Sequence, residues 1–392
     1  MSDVPIGYKQ TEVGVIPEDW EIKHLGAFCE ISAGRDLVKE EFADEPDHRH
    51  KFPIYSNSVK GEGLYGYSKS CQYGPDKITV TARGDIGHAL YRSTSFCAIG
   101  RLLVLSSAHS CDLRFVTEFI NHYVDFAIES TGVPQLTAPQ ISAYTVALPP
   151  TKAEQVAIAE ALSDADAFIE SLEQLLAKKR QLKQGAMQEL LTGNKRLPGF
   201  NVEWEVKRVG ELGEVVTGGT PATEVKEHWG EEYPWITPTD VSSQRDMFTS
   251  ERGLTPKGLS TIRALPADSL LVTCIASIGK NAILKTEGGC NQQINAIILD
   301  GNNSAEFLYY LFEVSKQYLL ANAGKTATSI ISKATFRDLT FTVPYLDEQT
   351  AIAAILSDMD TEITALEDKL AKARHLKQGM MQELLTGRTR LV

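Results

Sequence analysis

Residues 183–193 read KQGAMQELLTG and residues 377–387 read KQGMMQELLTG, so ten of eleven positions are identical at an offset of 194 residues. The same offset pairs Glu154-Gln155 with Glu348-Gln349. Chance does not produce such a match. A long internal repeat predicts that one structural unit occurs twice in the chain.

Both repeat segments are predicted to be long helices. Their apolar residues recur in alternating steps of four and three, which gives the narrow seam of a coiled coil. The seam residues are Ile158, Leu162, Ala165, Ile169, Leu172 and Leu176 in the first copy, and Ile352, Leu356, Met359, Ile363, Leu366 and Leu370 in the second. A helix of about 40 residues would be roughly 60 Å long.

The ends of the helices carry the expected signals. Thr151 and Glu154 fit a capping box at the start of the first helix. Gly193 and Gly387 fit the left-handed position just past a helix end.

Two features inside the helices give further predictions. Past Leu176 the apolar stripe moves to Leu182, Ala186 and Leu190, which indicates a change of register. A glycine in each helix, Gly185 and Gly379, costs about 1 kcal/mol relative to alanine, and its recurrence favours the close approach of another helix.

The blocks between the repeats differ in character from the helices. Residues 20–148 and 204–343 are rich in Gly, Ser, Thr and Tyr, and turn signals separate their short β-branched runs. The predicted strands are 77–81, 102–105, 270–273 and 294–299, and the predicted helices are 113–130 and 305–322. We therefore expect two α+β domains, each ending in its long helix.

Two weaker sequence similarities connect the blocks. TARGDIG at 81–87 aligns with TCIASIG at 273–279, and Trp20 aligns with Trp204. We interpret the two tryptophans as anchors between domain and helix rather than as residues that stack on bases.

The composition excludes several classes of protein. The 392 residues are 43% hydrophobic and 23% charged, which is ordinary for a folded, water-soluble protein. No apolar run approaches the ~18 residues that a membrane-spanning helix needs. The six cysteines form no Cys-x-x-Cys pair, so neither a zinc ribbon nor a disulfide scaffold is indicated, and a reducing cytoplasm is the simplest compartment.

No catalytic motif survives inspection. Residues 61–66 satisfy G-x-G-x-x-G, but the following residues do not open a helix, so a dinucleotide site is not indicated. The eight histidines show no His-x-x-x-His spacing. The sequence therefore does not predict an enzyme, and no metal site or cofactor is expected on this chain.

The sequence closely resembles the specificity subunits of Type I restriction–modification enzymes over essentially its whole length. The Glu-Gln-x-x-Ile starts and Gln-Glu-Leu-Leu-Thr-Gly ends of the repeats resemble the helical repeats of that family. The other motifs that carry the resemblance are YKQTEVGVIPEDW at 8–20, PIYSN at 53–57 with Gly66-Tyr67, TGGTP at 217–221, YPWITPTD at 233–240, ASIGK at 276–280 and NQQ at 291–293.

The resemblance implies a fold. It predicts two α+β target-recognition domains joined by two long antiparallel coiled-coil helices, as a pseudo-twofold internal repeat. The expected parts are an N-terminal extension packing with the repeat helices (1–19), recognition domain 1 (20–148), the first repeat helix (149–196), recognition domain 2 (197–343) and the second repeat helix (344–392).

The resemblance also implies a function. Each recognition domain would read one half of a bipartite, asymmetric site in double-stranded DNA, and the helices would hold two methyltransferase subunits. Those subunits would carry adenine-N6 chemistry with S-adenosylmethionine. Two restriction subunits would supply translocation and cleavage with ATP and Mg²⁺. Helix length would set the spacing between the half-sites.

The net charge of −12 is the main objection to this function, because nucleic-acid-binding proteins usually carry a basic face. The helices hold −3 over 154–193 and −4 over 347–387. The remaining −5 leaves the recognition domains without an obvious phosphate-binding excess. We infer that partner subunits supply much of the attraction and that the chain alone binds DNA weakly.

Loop residues with donors and acceptors are the candidates for base reading. They are Ser56, Asn57, Ser58, Lys60, Tyr67, Arg83 and His88 in the first domain, and Thr217, Thr220, Thr237, Thr239, Ser277, Lys280 and Gln292 in the second.

Two other functions fit the sequence. A protein-binding coiled-coil scaffold suits the acidity better, but it does not explain divergent polar loops beside nearly invariant helices. A recognition subunit of a methyltransferase–nuclease outside Type I is the second alternative.

Overall fold

A computed structural model describes residues 4–107, 111–126, 134–241, 244–324 and 329–391. The chain forms two compact units. Unit 1 comprises Met1–Glu173 and Asp368–Val392, and unit 2 comprises Gln174–Glu367.

Unit 1 contains two four-stranded sheets. Its strands are β1 (Tyr8–Thr11), β2 (Gly14–Pro17), β3 (Glu21–His24), β4 (Cys29–Ala33), β5 (Phe42–Ala43), β6 (Phe52–Tyr55), β7 (Leu64–Ser68), β8 (Lys77–Val80), β9 (Ala89–Arg92), β10 (Cys97–Ala98), β11 (Leu103–Ser107) and β12 (Thr145–Leu148). Its shorter helices are α1 (Leu25–Phe28), α2 (Leu113–Tyr123) and α3 (Ala138–Ser142). One sheet is antiparallel in the order β4-β11-β8-β9 and the other has the order β10-β6-β7-β5, with β10 parallel to β6. Strands β3 and β12 form a separate antiparallel pair, as do β1 and β2.

Unit 2 repeats the two-sheet topology, with a fifth strand added to one of the sheets. Its strands are β13 (Glu205–Arg208), β14 (Gly213–Thr217), β15 (Trp229–Gly230), β16 (Tyr233–Ile236), β17 (Asp246–Met247), β18 (Gly253–Leu254), β19 (Ser269–Thr273), β20 (Asn281–Leu284), β21 (Gly289–Cys290), β22 (Ile294–Leu299) and β23 (Thr340–Val343). Its shorter helices are α5 (Val209–Leu212), α6 (Pro256–Leu259), α7 (Ala305–Val314), α8 (Lys316–Ala321) and α9 (Lys333–Asp338). The sheets have the orders β14-β22-β19-β20-β17 and β15-β18-β16-β21, with β16 parallel to β21. Strand β13 pairs with β23 as β3 pairs with β12.

The predicted duplication of one α+β fold is confirmed. All four strands that the β-branched runs predicted are present, as β8, β11, β19 and β22. The stretch predicted to be a helix over 305–322 is two helices, α7 and α8, separated at Ser315. The helix predicted over 113–130 ends at Tyr123, so the prediction is wrong for residues 124–126, while 127–130 lie outside the described residues.

The two long helices each have 39 residues, α4 (Lys152–Leu190) and α10 (Leu346–Leu384). Each unit contains part of both. In unit 1 they pair antiparallel through Asp166–Lys377 (2.6 Å) and Glu173–Arg374 (2.5 Å). In unit 2 the repeat-equivalent ion pairs are Lys183–Asp360 and Arg180–Glu367. Antiparallel packing of the helices is therefore present within each unit.

The seam is confirmed up to Leu176, because Ile158, Leu162, Leu172 and Leu176 are buried. Of the residues predicted beyond Leu176, Leu190 is buried and Ala186 packs against the core of unit 2, but Leu182 is wrong as a seam residue, since 51% of it is exposed. The seam instead continues through Lys183, whose side chain is only 21% exposed. A lysine stem covers apolar surface while its ammonium reaches a carboxylate, here that of Asp360.

No helix of the described residues makes the close approach predicted at Gly185 and Gly379. Both are exposed, and a Cβ built at either would meet nothing within 4 Å. By contrast, Gly193 and Gly387 have φ of 72° and 69°, which confirms them as the left-handed residues past the helix ends.

Each unit contains a buried ion pair between a glutamate at the start of one repeat helix and an arginine that follows the end of the other. In unit 2, Arg196 holds both carboxylate oxygens of Glu348 at 2.8 and 2.7 Å. In unit 1, Arg390 binds Glu154 in the same way and also binds Asp19. The Thr151 hydroxyl caps α4 as predicted, by accepting a hydrogen bond from the Glu154 amide. The return bond of a capping box, from the Thr151 amide to the Glu154 carboxylate, is absent because that carboxylate binds Arg390.

The aromatic anchors are confirmed. Trp20 is fully buried, lies edge-on to Phe115 at 6.1 Å, and belongs to the core that contains Ile158 and Leu385. Trp204 lies edge-on to the equivalent Phe307 at 6.3 Å and packs against the core of unit 2.

Within the described part of the chain, every helix is too short or too polar to cross a lipid bilayer.

Candidate nucleic-acid interface

Three loops follow equivalent strands in the two units. We call them loops A, B and C. In unit 1 they are 56–63 after β6, 81–88 after β8, and 99–102 after β10. In unit 2 they are 237–245 after β16, 274–280 after β19, and 291–293 after β21, of which 242–243 lie outside the described residues.

Most of the predicted base-reading residues lie on these loops. Loop A carries Ser56, Asn57, Ser58 and Lys60 in unit 1, and Thr237 and Thr239 in unit 2. Loop B carries Arg83 and His88, and Ser277 and Lys280, while loop C carries Gln292. The exceptions are Tyr67 on β7, Thr217 at the end of β14, and Thr220 three residues later.

Loop B has the same backbone geometry in both units. The His88 amide donates to Thr81 Oγ1 at 2.9 Å, and the Lys280 amide donates to Thr273 Oγ1 at 3.0 Å. In return, the Thr81 amide donates to the His88 carbonyl, and the Thr273 amide donates to the Lys280 carbonyl. The threonine therefore closes the loop at its base, which explains the echo between TARGDIG and TCIASIG.

The tips of loop B also match. Gly84 has φ of 70°, and Ala276, at the equivalent position, has φ of 61°. An alanine in the left-handed region costs conformational energy that a glycine does not. The retained backbone shape presents different side chains in the two units.

Asn57 joins the loops of unit 1. Its Nδ2 donates to the Gly100 carbonyl at 2.6 Å, and its Oδ1 accepts from the Ala82 amide at 2.7 Å. One side chain thus connects loop A to loops B and C. Asn57 was predicted to read bases, and in this structure both of its polar atoms position the other loops.

The other candidates of unit 1 differ in how free their polar groups are. Ser56 donates from its amide and its hydroxyl to Gly63, and the Ser58 hydroxyl donates to the Lys60 carbonyl at 3.4 Å. Lys60 and Arg83 are exposed, whereas His88 and Tyr67 are half-buried. Tyr67 lies in β7 between Pro53 of β6 and Ala43 of β5, with which it is paired.

Unit 2 contains a half-open cavity of about 480 Å³ at loops A, B and C. Three predicted residues, Thr237, Thr239 and Ser277, line it together. The Thr237 amide and hydroxyl both donate to Asp240 Oδ2, at 2.8 and 2.5 Å, which fixes the shape of loop A. The cavity is lined by hydroxyl, amide and charged groups of the kinds that read base edges.

The remaining candidates of unit 2 do not line this cavity. Thr220 donates to Gln292 Oε1 at 2.6 Å, so these two exposed residues form a pair of their own. Thr217 donates to Asn295 at 2.7 Å, and Lys280 is exposed.

Among the polar residues of the cavity that sequence reasoning missed are Arg252, Asn291 and Gln293. Arg252 lies 3.7 Å above the ring of Trp229, and no local pattern indicates this contact because the two residues are 23 positions apart. The NQQ motif at 291–293 did signal the other two, but only Gln292 was selected.

The described residues contain no group of three or more His, Cys, Asp or Glu side chains that could hold a metal ion. Burial raises the pKa of the Cys29 thiol to about 12 and that of Cys274 to about 11, so neither supplies a thiolate nucleophile near neutral pH.

Comparisons with known proteins give the family. The sequence pattern of the Type I restriction modification DNA specificity domain matches twice, at residues 17–181 and 201–373. Over 164 residues the chain is 35% identical to the Type I restriction enzyme MjaIX specificity subunit of Methanocaldococcus jannaschii, covering 40% of this chain and 38% of that one. Over 189 residues it is 30% identical to the EcoR124I/EcoR124II specificity subunit of Escherichia coli, covering 45% of each. The matches thus span less than half the length of these relatives.

A solved structure supports the fold over a longer span. The S subunit of a Type I restriction–modification system from M. genitalium is similar with a TM-score of 0.63 and 15% sequence identity, covering 93% of this chain and 96% of that one.

Proposed function

The chain belongs to the Type I restriction modification DNA specificity family, and we propose that it is the sequence-reading subunit of such a complex. The observation that carries the proposal is that two units of one fold present equivalent loops with different side chains. Family membership favours this function over a protein-binding scaffold and over a system outside Type I.

Each unit reads one half of a bipartite site in double-stranded DNA. We assign recognition to residues 20–148 and 197–343 and base reading to loops A, B and C. Loop B carries His88 in unit 1 and Lys280 at the equivalent position in unit 2, on one backbone shape. Because base identity is read by the donors and acceptors of side chains, two different sets of side chains select two different sequences. The site is therefore asymmetric.

The repeat helices, 149–196 and 344–392, hold two copies of a methyltransferase subunit, and residues 1–19 pack with them. Two copies of one surface offer two equivalent docking places for one kind of partner. Leu182 and its repeat equivalent Leu376 support this, because both copies of the helix expose a leucine at the same position, by 51% and 67%. The open space at Gly185 and Gly379, three residues later, would admit a partner helix.

The chemistry belongs to the partners. The methyltransferase subunits use S-adenosylmethionine to methylate adenine N6, and two restriction subunits use ATP and Mg²⁺. The chain itself selects the sequence and is not catalytic. The complex acts in the cytoplasm.

Single-molecule methylation sequencing tests the function. Genomes would be compared from the host, from a strain lacking this gene, and from that strain complemented with the intact gene. We expect an adenine mark at a split, asymmetric motif to disappear with the gene and to return with it. An unchanged methylome, or the loss of a continuous motif, would contradict the proposal.

A further inference from the structure

Unit 1 presents three exposed arginines on connected loops, and sequence reasoning selected only Arg83. Arg35 follows β4, and its backbone is held against loop C: its amide donates to the Ala98 carbonyl at 2.9 Å, and its carbonyl accepts from the Gly100 amide at 3.1 Å. Arg101 comes next after Gly100 on loop C.

Asn57 connects these positions to loop B. It donates to the carbonyl of Gly100, and it accepts from the amide of Ala82, which directly precedes Arg83. Arg35, Arg83 and Arg101 therefore adjoin one hydrogen-bonded junction. We call them the arginine cluster.

The guanidinium groups of the cluster remain available for a ligand. Among the described residues, no carboxylate lies within ion-pair distance of any of the three. Arg83 is held by a neutral partner instead, because its Nε and Nη2 donate to Gln135 Oε1 at 3.1 and 2.8 Å. Arg101 has φ of 69°, a backbone conformation that is uncommon for a residue with a side chain.

The acids of the same region do not outweigh the cluster. Asp36 and Asp85 are exposed on the same segments as Arg35 and Arg83, and Glu62 pairs with Arg92. Lys60 on loop A is a fourth exposed cation. Cations thus exceed unpaired acids locally, although the whole chain is acidic.

In the described part of unit 2, the three positions equivalent to the cluster carry no arginine. Gly219 occupies the place of Arg35 and makes one of its two backbone contacts: the Gly219 amide donates to the Cys290 carbonyl at 2.8 Å, as the Arg35 amide donates to the Ala98 carbonyl. When TARGDIG at 81–87 is aligned with TCIASIG at 273–279, Ile275 stands at the position of Arg83, and the same offset places Gln293 at the position of Arg101. Three charged positions of unit 1 are therefore uncharged in unit 2.

We propose that Arg35, Arg83 and Arg101 bind backbone phosphates beside the half-site read by unit 1, and that unit 2 makes no equivalent contacts. The inference rests on the proposed DNA-reading function. Guanidinium groups bind phosphate oxygens through charge-assisted hydrogen bonds. Phosphate contacts give affinity that falls with salt, and they position a protein on DNA without specifying sequence. These three positions therefore add salt-dependent affinity in unit 1 and none in unit 2.

The test measures binding against salt. The full chain, assembled with its methyltransferase partner, would be titrated with a duplex carrying the split motif found by methylation sequencing, between about 0.05 and 0.3 M salt. For the R35Q/R83Q/R101Q variant, the slope of log affinity against log salt should become shallower by about 3, since each phosphate contact contributes about 0.9. The K39Q/R49Q/K51Q control removes the same charge from exposed residues that precede β5 and β6, and it should leave the slope nearly unchanged.

A lysine variant separates phosphate binding from base reading. R35K/R83K/R101K keeps the charge but loses the fork that fits guanine, so it should keep both the slope and the motif. An unchanged slope for the glutamine variant, an equal change for the control, or a lysine variant with an altered motif would overturn the proposal. If the unmodified assembly selects no split motif, the proposed function itself fails.

Discussion

Replacing Arg390 with alanine should destabilise unit 1 and leave unit 2 intact. Arg390 donates to both carboxylate oxygens of Glu154 and to both of Asp19, the latter at 3.0 Å each. The Glu154 side chain is 0% exposed, and that of Arg390 is 29% exposed. Removing the arginine leaves a buried carboxylate without its charged partner.

The expected cost is about 3 kcal/mol. Breaking a buried ion pair by removing one partner costs roughly 3–5 kcal/mol, and partial exposure of Arg390 favours the lower end. Hydrogen exchange measured by mass spectrometry separates the two units. Peptides from the core of unit 1 that exchange only on its unfolding should exchange about 100-fold faster, because each 1.4 kcal/mol is about a factor of ten. Peptides from unit 2 should be unaffected.

Two variants make this prediction refutable. The control Arg374→Ala removes an arginine of the same unit that pairs with Glu173. The side chains of Arg374 and Glu173 are 59% and 46% exposed, so the loss of this pair should cost less than about 1 kcal/mol. Adding Glu154→Gln to Arg390→Ala should recover part of the loss, since the buried charge disappears. Equal effects of Arg390→Ala and Arg374→Ala, or no recovery in the double variant, would refute the reasoning.

Three further predictions concern the loops, the helices and a buried acid. Asn57→Ala removes the two hydrogen bonds that join loops A, B and C, so methylation mapping should show a degenerate first half-site and an unchanged second one; degeneracy in both halves would contradict this. Inserting one heptad into each long helix adds about 10 Å, or about three base pairs, so mapping should find a longer gap between unchanged half-sites, and a gap of the original length would refute it. Burial raises the pKa of Glu118 above its usual 4.5. The folded state then binds the proton more tightly than the unfolded state, so stability falls as pH rises from about that value through the raised pKa. Glu118→Gln should remove this fall in Tm, and an identical pH profile for variant and parent would contradict it.

Local patterns were sufficient to predict the two long helices and the central strands. The seam through Ile158, Leu162 and Leu172 and the β-branched runs of β8 and β19 follow from period and residue type, which are properties of short segments. Because the sequence repeats, each element predicted in one half of the chain was also predicted in the other. Where the pattern weakened, at Leu182, the error came from assuming that only apolar residues can continue a seam, whereas Lys183 does so with its stem.

Contacts between distant residues could not be predicted in this way. Thr151 and Glu154 have the spacing of a capping box, but Arg390, 236 positions from Glu154, competes for the carboxylate. Asn57 has the chemistry of a base-reading residue, yet its partners are 25 and 43 positions away. In both cases residue type indicated a polar interaction, and only the fold determined the partner.

Half-site independence is the most direct test of two units that each read half of one sequence. Methylation would be mapped in strains that carry the intact chain, a variant with alanine at Lys60 and His88, or a variant with alanine at Thr237, Thr239 and Ser277. The intact chain should give one split motif, and each variant should relax or shift only its own half. A continuous motif, or variants that alter both halves together, would contradict reading by two separate units.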